Sequence, residues 1–243
     1  MLRKILTIAV LAGMALEANA ALLSGDMAFT AFNADEDGWA LTTFKTIDAN
    51  TTIYFSDNEW DGAAFNTGEG FHTWNSGESA ISAGSIIRFS KVDQPIRSVS
   101  IGTYAANGDT GINATSETIY AYTGTAANAP TTFLAGISTE GSTNLTPAGL
   151  TNALNALVLT NSADFGQYTG DRSGQLNFSG YQALVNNAAN WAIVVGGDQA
   201  LQVPNTDSFS VAAVPVPAAV WLFSTALAGF GVINRRNNSQ RSN

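Results

Sequence analysis

Met27-Ala28-Phe29-Thr30-Ala31-Phe32 and, one acidic turn later, Trp39-Ala40-Leu41-Thr42-Thr43-Phe44-Lys45-Thr46-Ile47 have the two-residue period of half-buried β-strands. The same period returns in Thr52 to Phe55, Ser85 to Phe89 and Thr118 to Tyr122. Between them lie clusters of Gly, Asn and Asp, the residues that turns demand. Short Thr-, Ile-, Phe- and Tyr-rich strands at this spacing predict a mainly β body, a sandwich or a barrel.

The later part of the body is mixed. Thr146 can cap a helix with Pro147 at its first position, which sets Leu150, Leu154 and Leu157 on one face. A second short helix is predicted from Tyr181 to Ala188, capped by Ser179, with Tyr181, Leu184, Val185 and Ala188 on its apolar side. Trp191 to Val195, closed by Gly196-Gly197, reads as a buried strand. The helices are expected to decorate or cover an edge of the sheet.

Composition supports a folded, weakly charged chain: 243 residues, 45% hydrophobic, 23 glycines and 12% charged. The net charge of −9 is uneven, because Arg3, Lys4, Arg235, Arg236 and Arg241 lie at the ends. Residues 21 to 234 carry five basic against eighteen acidic groups, net −13. A body this acidic repels phosphate backbones, so no nucleic-acid partner is expected. Cysteine is absent, which excludes disulfides, thiolate nucleophiles and cysteine-held zinc.

Both ends carry targeting patterns. Arg3 and Lys4 precede an apolar run from Ile5 to Leu16, and Ala18-Asn19-Ala20 supplies small residues before a cut, so residues 1–20 are a predicted signal peptide and Ala21 the mature start. Residues 21–210 form the expected secreted domain. Residues 211–243 form a tail whose stretch Val211 to Ile233 holds no charge. Pro215 and Pro217 disfavour helix at its start, so a transmembrane helix is expected over 218–233, with the basic tail 234–243 on the cytoplasmic side.

Val214-Pro215-Val216-Pro217-Ala218-Ala219-Val220-Trp221-Leu222-Phe223, the apolar run after it and the pair Arg235-Arg236 closely resemble, in order, the parts of the PEP-CTERM protein-sorting signal. Val216 stands where the commonest form has glutamate between the prolines. The resemblance implies recognition and cleavage near Pro215 to Pro217 by an exosortase, a membrane-embedded cysteine-protease-like enzyme, in a Gram-negative, exopolysaccharide-producing setting. Exosortase and signal peptidase are then processing partners, exopolysaccharide an expected neighbour, and the membrane a transient anchor through the C-terminal helix. Gly25-Asp26-Met27-Ala28-Phe29, Phe32-Asn33-Ala34-Asp35 and Thr52-Ile53-Tyr54-Phe55-Ser56-Asp57-Asn58-Glu59-Trp60 are similar to the start of secreted lamin-tail, immunoglobulin-like domains. That likeness spans residues 25 to 90 and implies a β-sandwich without a defined activity.

Two acidic turns are candidate calcium loops: Asn33-x-Asp35-x-Asp37-Gly38 and Asp57-x-Glu59-x-Asp61-Gly62. Twelve-residue loops close on a glutamate, but Phe44 stands at that place in the first and Gly68, one short of Glu69, in the second. The same residue types are ordinary turn formers. His72 is the sole histidine, alternates with aromatics in Phe71-His72-Thr73-Trp74, and is expected on a strand surface without a nucleophile motif beside it. Asp57 and Asp61 could in principle form a glycosidase pair. Trp39, Trp60, Trp74, Tyr54, Phe65 and Phe71 are either sandwich core or sugar-stacking rings. The expectation is a non-catalytic surface or matrix protein without a required cofactor. The alternative is a glycan-binding or calcium-assisted adhesin, and a secreted hydrolase has no motif in its favour.

Overall fold

The computed structural model describes residues 21–213. The expected signal peptide, sorting motif and transmembrane helix (218–233) lie outside the described residues. Among those described, no helix is long and apolar enough to cross a membrane.

The described residues are mainly β, in two six-stranded sheets. The first sheet contains β1 (Met27–Asn33), β2 (Gly38–Thr43), β5 (Ile86–Ser90), β6 (Ser98–Val99), β11 (Ala163–Tyr168) and β12 (Trp191–Val195). The second contains β3 (Thr52–Ser56), β4 (Phe71–Asn75), β7 (Thr103–Asn107), β8 (Thr118–Ala126), β9 (Ala129–Ser138) and β10 (Ala156–Val158). Their orders are β12-β11-β1-β2-β5-β6 and β10-β9-β8-β3-β4-β7. All named pairs are antiparallel except β9 with β10.

The β1–β2 hairpin shows how the sequence makes this. Asn33 pairs with Gly38, and Asn33 Oδ1 accepts the Glu36 N–H at 3.0 Å. Asp37 takes a φ of 53°, a left-handed value that Asp tolerates better than most residues. The bulge between Phe29 and Ala31 shifts the alternation by one residue, so Phe32 pairs with Trp39 although Phe29 pairs with Leu41. β1 is buried along all seven residues. The second sheet's β9 and the short helix α1 (Gln182–Val185) both pack against it.

Between the sheets lies a continuous apolar layer. Trp39 stacks on Phe89 of its own sheet at 5.2 Å between ring centroids. Across the gap it meets Phe55 at 5.6 Å and, edge-on, His72 at 5.0 Å. Phe89 reaches Phe55 and Tyr104 at 5.0 and 5.2 Å. These contacts join the two sheets face to face, as a β-sandwich requires.

A smaller cluster covers the second sheet's outer face. There Tyr120 and Tyr122 are buried beneath Leu145, Leu150, Trp60 and Phe65. This outer layer explains why β8 is buried on successive residues instead of alternating.

Several expectations are corrected. The helix predicted from Thr146 is only a 3-10 turn, Thr146–Ala148. Gly149 ends it at φ 70°, and Ala153 is also left-handed at φ 66°, so Leu150 and Leu157 are buried by separate segments while Leu154 is 55% exposed. The second predicted helix breaks into a 3-10 turn over Phe178–Tyr181, then α1, then a 3-10 turn over Ala188–Asn190. Its cap is Asn177, not Ser179: Asn177 Oδ1 accepts the Gly180 N–H at 2.9 Å. Tyr181 and Val185 join the core, and α1 packs on the interior strand β1 rather than along a sheet edge. Trp191 to Val195 is a strand, but an edge one, with Val195 56% exposed.

The last described segment is a strap. Phe209 N–H donates to Gly84 O at 2.8 Å, while Arg172 donates to the carbonyls of Asp207 and Asn205 at 2.8 and 3.2 Å. The Phe209 ring is 3% exposed, 4.8 Å from the Tyr181 ring and 4.9 Å from the Arg172 guanidinium carbon. Gly84, at φ 86°, is required here, since a β-carbon on it would stand 2.3 Å from Phe209 O. Phe209→Ala is expected to lower stability by about 3–5 kcal/mol, the range for emptying a buried aromatic site. Urea unfolding checks it, and a loss below about 1 kcal/mol would show the ring to be peripheral.

Candidate functional site

One end of the sandwich gathers acidic side chains. β3 stops at Ser56, β4 starts at Phe71, β7 stops at Asn107, β8 starts at Thr118 and β9 stops at Ser138, and the register places these ends together. The first sheet adds the Ala34–Asp37 turn there. The linker 108–117 lies across both, with Ile112 N–H donating to Asp37 Oδ1 at 2.6 Å.

Strand alternation explains which carboxylates turn inward. Phe55 and Ile119 are buried core residues, so Asp57, two residues beyond Phe55, and Glu117, two before Ile119, continue the same face past the strand ends. They are 3% and 2% exposed. Backbone groups hold one oxygen of each: Gly70 N–H donates to Asp57 Oδ1 at 2.9 Å and Asn113 N–H to Glu117 Oε2 at 2.8 Å. Asp57 Oδ2, Glu117 Oε1 and Glu69 Oε2 are buried without a donor.

Asn58 locks the loop, accepting the Glu69 N–H at 3.2 Å and donating to Gly70 O at 2.9 Å. Gly70 is needed because a β-carbon would stand 2.5 Å from Asp109 O. Beside this rim opens a polar cleft of about 520 Å³, lined by Asp37, Glu69, Asp93 and Asp109. The nearby guanidinium of Arg88 is paired with Glu36 at 2.6 Å.

This setting resists ionisation. Burial, then the charges of Asp109 and Glu59, push Asp57 up to about 7. Burial and then Asp57 raise Glu69 to about 7, and burial followed by Asp57, Glu69 and Glu140 raises Glu117 to about 9. Asp37 rises to about 6 through burial and its neighbour Asp93.

The residues of the predicted calcium loops have turn-making work. Asn33 Nδ2 donates to Gln199 O at 3.0 Å, Asp35 Oδ2 accepts the Gln199 N–H at 2.6 Å, and Asp37 holds Ile112. In the second loop Glu59 bonds the Asn66 amide, and exposed Asp61 caps a turn by accepting Ala63 and Ala64 N–H, both at 2.7 Å. Those two bonds keep the Asp61 carboxyl below its ordinary range. Buried Asp57 and exposed Asp61 therefore occupy unlike environments. Among the described residues no three His, Asp or Glu side chains already converge at metal-ligand distance.

His72 is not on a surface: it is 1% exposed, its Nδ1 within 2.5 Å of the Tyr104 hydroxyl. Burial, with Arg97 nearby, depresses it to about 3, so it is neutral at physiological pH and bonded inside the core. Its side chain shares the inner face with Phe55, its register partner, which the Phe-His-Thr-Trp alternation left undecided.

Trp39 and Trp74 are core. Tyr54, Trp60, Phe65 and Phe71 are half-buried on or beside the outer cluster. Trp60 meets Phe65 and Phe133 at 66° and 57°, the tilted packing of a core rather than a flat stacking platform.

Glu69 and Glu117 do not stand out in the sequence as site residues. The signal for Glu117 was its place two residues before a core isoleucine. Glu69 was one residue from the predicted loop position, and the β3–β4 hairpin returns it to Asp57. Ala21 is exposed at the start of the described chain, while Ala18, Ala20 and the sorting residues Val214, Pro215, Val216, Pro217, Ala218, Ala219, Trp221, Leu222, Phe223, Arg235 and Arg236 lie outside it. No known family profile, curated protein or solved structure matches this chain.

The raised carboxyl groups fix a sign for pH dependence. Their folded values exceed the ordinary 3.8 and 4.5, so the stability they contribute is whole in acid and is lost as pH rises through about 6 to 9. His72 acts oppositely below its ordinary 6.5, but it is one group against four. In chelator-treated buffer the thermal midpoint is expected to be higher at about pH 5.5 than at about pH 8. Melts across that range that stay level, or rise toward alkali, would contradict the buried rim.

Proposed function

We propose that this chain is an exported, non-catalytic surface or extracellular-matrix protein, sorted through its C-terminal tail and cleaved there by an exosortase. The observation that carries the reading is the sequence pattern at the two ends: Arg3-Lys4, an apolar run and Ala18-Asn19-Ala20 at one, and Val214-Pro215-Val216-Pro217, an uncharged run to Ile233 and Arg235-Arg236 at the other. Among the described residues the outermost core side chains are Leu22, 8% exposed, and Phe209, 3% exposed. Leu22 is the second residue after the predicted signal-peptide cut, and Phe209 precedes the Val214-Pro215-Val216-Pro217 motif by five residues. Among the described residues, Leu22 and Phe209 belong to one hydrophobic core, which lies between the two segments that the sequence assigns to targeting.

The strap adds physical support. Ser210 N–H donates to Arg172 O at 2.7 Å, Ala212 N–H to Gln175 O at 2.8 Å, and Tyr181 hydroxyl to Ser210 O at 2.6 Å. Removal of the tail near Pro217 would leave all of these bonds in place. Two sheets closed without a disulfide suit the immunoglobulin-like, lamin-tail-like sandwich that the first third of the body resembles. His72, locked in the core, supplies no surface base, which favours binding or structural work over hydrolysis.

Intact-mass and fractionation analysis of the native protein, in producing cells with and without exosortase, tests the reading. The expected outcome is loss of residues 1–20 in both strains, and loss of the tail after about Pro217 only where the enzyme is present. A mature protein that keeps Ala218 to Asn243 in both strains would leave a simple membrane anchor and remove the sorting reading.

A further inference from the structure

We propose that the acidic rim binds one hard divalent cation of the calcium class, held by Asp57, Glu69 and Glu117 and admitted through the cleft that Glu69 shares with Asp109. The site differs from the loops singled out in the sequence, sharing only Asp57 with them. It stands independently of the export and sorting reading.

Three carboxylate oxygens at the rim are unsatisfied. Asp57 and Glu117 are more than nine-tenths buried, yet Asp57 Oδ2 and Glu117 Oε1 have no donor, and neither has Glu69 Oε2. A buried carboxylate oxygen without a partner is costly, and proteins resolve that cost with a cation, a proton or N–H donors. The backbone donors here already serve the other oxygens, Asp57 Oδ1 and Glu117 Oε2. Arg88 is paired with Glu36, and Arg97 is directed to the carbonyls of Gln94 and Ala106. Among the described residues no Arg or Lys is bonded to these three oxygens, which leaves them open to a cation from solution.

Strand register brings the three groups to one end of the second sheet. Tyr54, Phe55 and Ser56 pair with Tyr122, Ala121 and Tyr120, and extending that register puts Asp57 opposite Ile119. Glu117 is then the diagonal neighbour of Asp57 on the same inner face, about 7–8 Å away between backbones and within reach of side chains. Glu69 arrives from the loop that Asn58 and Gly70 tie to Asp57. The ionisation of Glu117 is opposed by both Asp57 and Glu69, and that of Glu69 by Asp57, as expected for one shared neighbourhood.

The donor set selects the ion. All three ligands are hard oxygens, and the chain has no cysteine while His72 is bonded to Tyr104. Calcium accepts six to eight oxygens at about 2.3–2.6 Å in irregular arrangements and fills gaps with carbonyls and water, whereas magnesium demands a near-octahedron. A rim made of strand ends and loops suits the former. The three carboxylates do not yet converge at ligand distance, so binding requires side-chain movement. Glu69 has the room for it, being only half-buried and facing the cleft.

The test uses the full chain, stripped with chelator and titrated at neutral pH with calcium chloride alone. Equilibrium dialysis is expected to find one ion per chain, with a dissociation constant of about 0.1–1 mM, as in extracellular modules. At about 10 mM calcium the thermal midpoint should rise by roughly 3–10 °C. Magnesium at the same concentration should give a clearly smaller shift, and an equal one would mean simple charge screening and overturn the site. Asp57→Asn and Glu117→Gln keep the shape and remove the charge; both should lose the bound ion and most of the calcium-dependent rise. Asp61→Asn, altered in an exposed turn, should keep both. If one rim variant does not fold, the other and Glu69→Gln decide by dialysis. Absence of bound calcium at about 10 mM in the unaltered chain, or its retention in the folded rim variants, would overturn the proposal.

Discussion

Everything in this molecule depends on the apolar layer between the sheets, centred on Trp39. With no disulfide to staple a chain of this length, the two sheets are held by burial and by the ring contacts that Trp39 makes with Phe55, His72 and Phe89. The layer also decides the state of the one histidine. An imidazole wedged edge-on to an indole, with Arg97 nearby, is neutral because charging it would require hydration that the core does not provide. A histidine expected on a strand surface is thereby a packing residue, bonded to Tyr104.

The same layer creates the acidic rim. Strand alternation that fills the interior with Phe55 and Ile119 does not stop where the hydrogen-bonded ladders stop, and it carries Asp57 and Glu117 to the boundary of the core. Inward-facing carboxylates at a strand end are electrostatically unfavourable and restrict neighbouring charge. Their presence beside a cleft lined by Asp37, Asp93 and Asp109 concentrates negative charge at one end of the body, opposed within hydrogen-bond range by Arg88 at Glu36. Long-range attraction for cations follows from that asymmetry.

Much of the sheet scaffold was legible from alternation alone: the Met27, Thr52 and Thr118 stretches form strands, and the Trp39 stretch does so as far as Thr43. β9 and β11 were not, because Pro130, Gly136, Asp164 and Gly166 interrupt any apolar period, and β7 was not because its edge position leaves Thr103, Ala105 and Asn107 exposed. The helical period read through Leu150, Leu154 and Leu157 is not realised, whereas that around Tyr181 survives in broken form, with Tyr181 and Val185 buried. Gly149 and Ala153 in left-handed conformations and the capping asparagines Asn177 and Asn187 cut the two stretches into single turns.

At the candidate site, Asp57 was visible as a turn residue, whereas its partnership with Glu69 and Glu117 depends on pairing across strands, which local spacing does not encode. The outer aromatic cluster was likewise invisible as a second core, since it forms only when the 59–66 and 145–150 segments fold over β8. The most direct test of the account is hydrogen exchange on the full chain, resolved by segment. If the Trp39 layer binds the sheets into one unit, the slowest amides should lie in β1, β2, β3, β5 and β8 and share a single opening free energy across both sheets. Exchange of the β12-β11-β1-β2-β5-β6 sheet at a rate independent of its partner would contradict it.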